Sequence, residues 1–190
     1  MTDPREYYGR ALAQTEQIVA AVRPGQFGVL TPCTEFDVRG LLNHIVGAIT
    51  RAAITGEGGD ALAFSGRVDD APDDDWLDAY HTAAKRATAA WSDDARLDAM
   101  VTVPWGTVPG RAALSGAVQE VLVHGWDLAT ATGQETEGDT ELATWVLEFA
   151  RRFLPPERRG GPVPFGPVVA VPPEAGPYAQ LAGWLGRGTG

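Results

Sequence analysis

An all-helical bundle is the fold class this sequence predicts, and three observations predict it. Apolar residues recur at helical spacing in five long segments, four of them ended by glycine or proline. A strand-like alternation is confined to one short stretch. Hydrophobic residues make up 44% of the 190 positions and charged residues 21%, enough apolar material for one core and against intrinsic disorder. The expectation is a single domain over 1–190, with residues 155–190 a Pro/Gly-rich tail packed on the bundle.

The first helix is expected from about Asp3 to Val22, before the Pro24-Gly25 breaker. The second is expected to open at Thr34, where Thr34-Glu35-Phe36-Asp37 reads as a capping-box variant with Cys33 and Val38 as its staple. It should run to about Thr55, ahead of Gly56 and the Gly58-Gly59 pair. A third, from about Asp74 to Trp91, begins among three aspartates at the positive end of its dipole and carries Trp76, Tyr80, Ala83, Ala87 and Trp91 on one stripe. Between Leu97 and Val108 the apolar residues are broken by Pro104 and Gly106, which predicts an extended or hairpin-like link. A fourth helix is expected from about Gly110 to Thr132, stopped by Gly133, and a fifth from about Asp139 to Leu154, halted by Pro155-Pro156. Tyr178 to Leu185 predicts a short helix within the tail. Four long helices plus an extra one make a helical bundle.

Composition narrows function. Fifteen Lys and Arg against 25 Asp and Glu give a formal charge of −10, which opposes attraction to phosphate backbones and anionic lipid, so neither nucleic acid nor membrane is an expected partner. The single cysteine allows no intrachain disulfide and no multi-thiolate metal site. The opening MTDPREYYGR has four charged residues and no apolar core, predicting no signal peptide and a cytoplasmic protein. No Walker or dinucleotide glycine loop is present.

Metal ligation is the chemistry the remaining residues allow. Glu120 and His124 stand four apart on the fourth helix, hence one turn and ~40° apart on the same face, where both can reach one ion. They lie at the edge of the stripe of Ala117, Val121 and Leu128, where a carboxylate needs a partner such as a cation. The same spacing also occurs on solvated faces. His44 points away from the centre of its helix's apolar stripe, as a surface histidine does. Its neighbours one turn away, Gly40, Gly47 and Ala48, nonetheless strip that face of bulk and leave room for a close helix or a ligand. His81 reads as a flanking residue of the third helix. Cys33, ~16 Å from His44 along a continuous helix, reads as a packing residue outside the ion's reach. Trp126 reads as core.

The segment TPCTEFDVRGLLNH, Thr31 to His44, followed by EVLVHGWDLATATG, Glu120 to Gly133, resembles the metal-binding domain of the mycothiol-dependent maleylpyruvate isomerase group in the DinB-like superfamily, and most of all its short metal-binding members. The resemblance extends into the tail, through Phe165 to Val169 and Leu181 to Arg187. It implies a four-helix bundle whose divalent metal, zinc foremost, is held by His44, Glu120 and His124. Phe36 stands where tryptophan is expected. The isomerase also has a further C-terminal domain that helps form its active site, whereas 36 residues follow Leu154 here.

Two imidazoles and one carboxylate leave a coordination position open in a tetrahedral site, as in catalytic zinc. A thiol could take it, and the resemblance implies mycothiol as that co-substrate in a transferase or isomerase reaction. Asp127, three residues after His124, could orient that imidazole, or could instead anchor the helix surface. The sequence keeps open a non-catalytic structural or sensory metal protein and a non-haem iron enzyme using the same ligand types. It equally admits a monomer or a homodimer. Competition between protons and the ion for the imidazoles is expected below their ordinary pKa of ~6.5.

Overall fold

The computed structural model describes residues 3–68, 75–159 and 165–188. In chain order the elements are α1 (Pro4–Ala20), α2 (Val38–Glu57), α3 (Trp76–Ala90), the short α4 (Asp94–Asp98), β1 (Met100–Val103), β2 (Gly106–Pro109), α5 (Gly110–Thr132), α6 (Thr140–Phe153) and α7 (Pro177–Trp184). Four of the helices close a ring: α1 packs on α5, α5 on α2, α2 on α3 and α3 back on α1. This is the four-helix bundle that the amphipathic segments predict, with α6 as the extra helix against α5 and α7 resting on α6 and α5. Among the described residues no helix is long and apolar enough to cross a membrane.

Leu114, Leu122 and Leu128 of α5 are fully buried, as are Leu41, Ile45 and Ile49 of α2 and Tyr80 of α3. Because α5 touches neighbours on several sides, it is apolar around most of its circumference, and polar groups on it need partners. The Thr15 hydroxyl donates to the carbonyl of Val121 at 3.2 Å, tying α1 to the stretch of α5 that carries Glu120 and His124. The Tyr80 hydroxyl likewise donates to the carbonyl of Leu12 at 2.7 Å.

Several expected boundaries shift. Helix α2 begins at Val38, not at Thr34: Asp37 is its N-cap, accepting from the Gly40 N–H at 2.8 Å. The Thr34 capping box does not form, because the Thr31 hydroxyl donates to the carbonyls of Phe36 and Cys33, and Leu30 bridges to Asp37, folding residues 30–37 into a turn. The expected start of the third helix at Asp74 lies outside the described residues, and the described helix opens at Trp76. The link after α4 is a β-hairpin in which Val101 faces Val108 and Val103 faces Gly106. Gly133, left-handed at φ 68°, ends α5 where expected.

The tail is anchored by side chains and not only by α7. The Tyr178 hydroxyl donates to Gln14 at 2.8 Å, and Tyr178, Leu181 and Leu185 join the hydrophobic core. Arg151 and Arg159 both lie over the Trp184 ring.

Candidate metal centre

Helices α2 and α5 face each other, and the side chains of His44, Glu120 and His124 meet across that contact. A Glu120 carboxylate oxygen lies 3.3 Å from His124 Nε2 and 3.7 Å from His44 Nε2. Donors bound to one tetrahedral zinc at about 2.0–2.1 Å stand roughly 3.3–3.5 Å apart. The first distance sits at that separation and the second a few tenths of an ångström beyond it, and all three donor atoms lie within 4.8 Å of one another, so a modest closure brings them onto one small cation. The imidazoles of His44 and His124 approach edge to face, with centroids 4.7 Å apart and planes at 87°, and both turn Nε2 to the same carboxylate oxygen. Phe36 stacks on His44 at 4.8 Å and 23° and fixes the outer ring in place.

The face of His44 stripped of bulk accommodates a loop. A Cβ at Gly47 would meet the carbonyl oxygen of Gly66 at 2.0 Å, so only glycine lets the 58–68 segment lie on α2 there. Asn43 secures the same segment by donating to the carbonyl of Val68 at 2.8 Å.

Exposure is graded across the cluster. The side chain of His124 is 9% exposed, that of His44 27% and that of Glu120 42%, so the carboxylate marks the solvent side and His124 the floor. Burial raises the cost of charge on Glu120, yet the hydrogen-bonding imidazoles of His124 and His44 outweigh it and hold the carboxyl well below the usual carboxylate range. Burial pulls the His124 imidazolium down, but Asp127 and Glu120 on either side of the ring prevail and push its pKa up to about 9. Proton competition therefore begins well above the ordinary histidine value.

Beneath the floor, Asp127 is fully buried, with one oxygen 3.0 Å from His124 Nδ1. Burial alone would raise its pKa, and His124 and Arg187 more than offset that, so it is ionised. An ionised carboxylate only accepts, which makes Nδ1 the donor and turns Nε2 toward Glu120. Asp127 thus orients the imidazole. Arg187, from the tail, donates Nη2 to Asp127 Oδ2 at 2.9 Å and Nε to Oδ1 at 3.2 Å. Nothing in the local sequence around Arg187 marks it as part of this site; its approach depends on how the tail folds back.

The remaining singled-out residues divide. His81 is an exposed partner of Glu16 at 3.0 Å, away from the cluster, as its flank position predicts. Trp126 packs against the core. Cys33 departs from expectation. Because α2 starts after it and the chain turns back, it lies beside His124 and Asp127, its sulfur within 4.8 Å of a donor atom of each, and not ~16 Å away along a helix axis. It belongs to a second donor group that shares His124 with the first.

Comparison with known proteins places the chain in a family and matches its fold. Residues 8–129 match the family model described as the mycothiol maleylpyruvate isomerase N-terminal domain. Two Mycobacterium tuberculosis proteins, from strain CDC 1551 / Oshkosh and strain ATCC 25618 / H37Rv and both described only as uncharacterized, are each 35% identical over 185 residues, 97% of this chain and 98% of theirs. The fold is that of the crystal structure of the mycothiol-dependent maleylpyruvate isomerase, at TM-score 0.58 and 14% identity, and of a His-to-Ala mutant of it, at 0.59 and 14%. The matched region is 77% of this chain and 65% of the isomerase chain. The chain belongs to the mycothiol maleylpyruvate isomerase N-terminal domain family.

Proposed function

We propose that the protein binds one divalent metal ion, zinc foremost, through His44, Glu120 and His124, and uses it with a low-molecular-weight thiol in a transferase or isomerase reaction. The observation that carries this reading is the meeting of the three donors at 3.3 and 3.7 Å, with the most exposed of them facing solvent. A bound zinc ion supplies a Lewis acid that stabilises a thiolate at neutral pH. The chain's own groups do the rest. Asp127 keeps the proton on His124 Nδ1 and frees Nε2 as a donor. Phe36 holds His44 by stacking, and Glu120 offers its charge at the open side. Cys33 is no substitute for an external thiol, since burial pushes its pKa up and favours the thiol over the nucleophilic thiolate.

Family membership points to mycothiol as the thiol. The test is metal analysis of the purified protein, followed by titration of the cobalt-loaded form with mycothiol while its visible spectrum is recorded. One equivalent of metal and a saturable spectral change support the reading. A protein without stoichiometric metal, or a cobalt spectrum indifferent to the thiol, contradicts it.

A further inference from the structure

Two groups of side chains that could each hold an ion share His124: His44/Glu120/His124 on the solvent side, and Cys33/His124/Asp127 beneath it. By donor type the second is the more attractive to zinc or cobalt, because a thiolate is a softer and stronger ligand than a carboxylate. Its donor atoms already lie within 4.8 Å of one another, so about an ångström of closure would seat a tetrahedral ion.

Arg187 opposes that outcome. Its fork engages both oxygens of the buried Asp127, at 2.9 and 3.2 Å, and its Nη1 donates to the carbonyl of Leu185 at 3.0 Å. Among the described residues the other side-chain hydrogen-bond partner of Asp127 is His124 Nδ1. The guanidinium is itself buried and adds a fixed positive charge beside Cys33 and Asp127, where a cation would have to sit.

The backbone holds this arginine in place. Helix α7 ends in a Schellman motif: the Gly186 N–H donates to Gly183 at 3.1 Å and the Arg187 N–H to Ala182 at 2.9 Å. Gly186 takes the left-handed φ of 83° that the motif requires, with the carbonyls of Gly166 and Pro167 close by. Arg187 therefore leaves the helix end in one direction, onto Asp127.

We propose that Arg187 is a positioning residue that decides which donor set an ion takes: by locking Asp127 to His124 it closes the Cys33/His124/Asp127 group and directs the metal to His44, Glu120 and His124. The inference rests on the metal reading above and adds to it a selective role for the C-terminal tail. Loss of the arginine frees the Asp127 oxygens, removes the repelling charge and brings Cys33 into coordination.

The experiment adds Co2+ to the metal-free full-length protein and records its spectrum. Wild type takes one equivalent with no thiolate-to-metal charge-transfer band in the near ultraviolet. Arg187→Met gains that band at about one thiolate per ion, and Arg187→Met/Cys33→Ser loses it again; Cys33 is the chain's one cysteine, so the band has a single source. Arg187→Gln, which keeps polar contact with Asp127 but not the charge, serves where the methionine variant does not fold, and it too gains the band. A band already present in wild type, or absent from the folded arginine variant, overturns the proposal. A wild-type protein that takes up no cobalt overturns the metal reading itself, a result distinct from either.

Discussion

Zinc binding at pH 7.5 is expected to release about one proton per ion from His124, and the structure gives the number. Its imidazole lies between the carboxylates of Glu120 and Asp127, which raise its pKa to about 9 in the metal-free protein. At pH 7.5 the ring is then mostly protonated, and a ligating nitrogen must shed its proton. The apparent affinity is reduced at that pH by on the order of tenfold or more and climbs about tenfold per pH unit toward 9, where the effect levels off. Isothermal titration calorimetry in buffers of different ionisation enthalpy reads the proton count as the slope of observed enthalpy against buffer enthalpy. A slope near one proton is expected. Enthalpies independent of buffer would refute the reasoning, since they would mean either a neutral His124 in the metal-free protein or an ion that does not engage it.

Further predictions concern site and fold. His44→Ala and His124→Ala lose stoichiometric metal while circular dichroism still shows a cooperative helical melt, because α2 and α5 each bury an apolar stripe of their own; His81→Ala, out at Glu16, leaves metal content unchanged. The metal-free protein loses stability as pH rises through about 9, where the favourable charge on His124 disappears, and again in acid as Glu120 and Asp127, both held below their usual values, take up protons; denaturant midpoints across pH check both limbs. Gly47→Ala places a methyl 2.0 Å from the Gly66 carbonyl oxygen and should cost about 1–3 kcal/mol in urea unfolding. Tyr80→Phe removes the buried 2.7 Å bond to Leu12 and should cost about 1 kcal/mol or somewhat more, since the Leu12 carbonyl loses a partner.

The bundle was legible because its signals are local. Gly133 ends α5, Pro155-Pro156 closes α6, and the apolar periods of α2 and α3 are strong enough to place their inward faces, whereas α5 is apolar nearly all round. The pairing of Glu120 with His124 follows from one turn of helix, and His44 follows from the family resemblance and not from its own wheel position. What escaped the sequence depends on the chain turning back on itself. Asp37, not Thr34, caps α2, because Thr31 closes a turn through the carbonyl of Phe36, and that turn carries Cys33 beside His124. Arg187 is 60 residues from Asp127, and no periodicity relates them. Its placement follows from the helix end at Gly186 and from where α7 docks, neither of which a local pattern reports.

X-ray absorption at the zinc edge, recorded on the zinc-loaded protein before and after addition of mycothiol, tests the central claim most directly. The account predicts nitrogen and oxygen neighbours alone at about 2.0–2.1 Å before the thiol, including two imidazoles, and one added sulfur at about 2.3 Å after it. A sulfur present from the outset would place Cys33 in the ligand set, and a shell unchanged by mycothiol would contradict an open position at His44, Glu120 and His124.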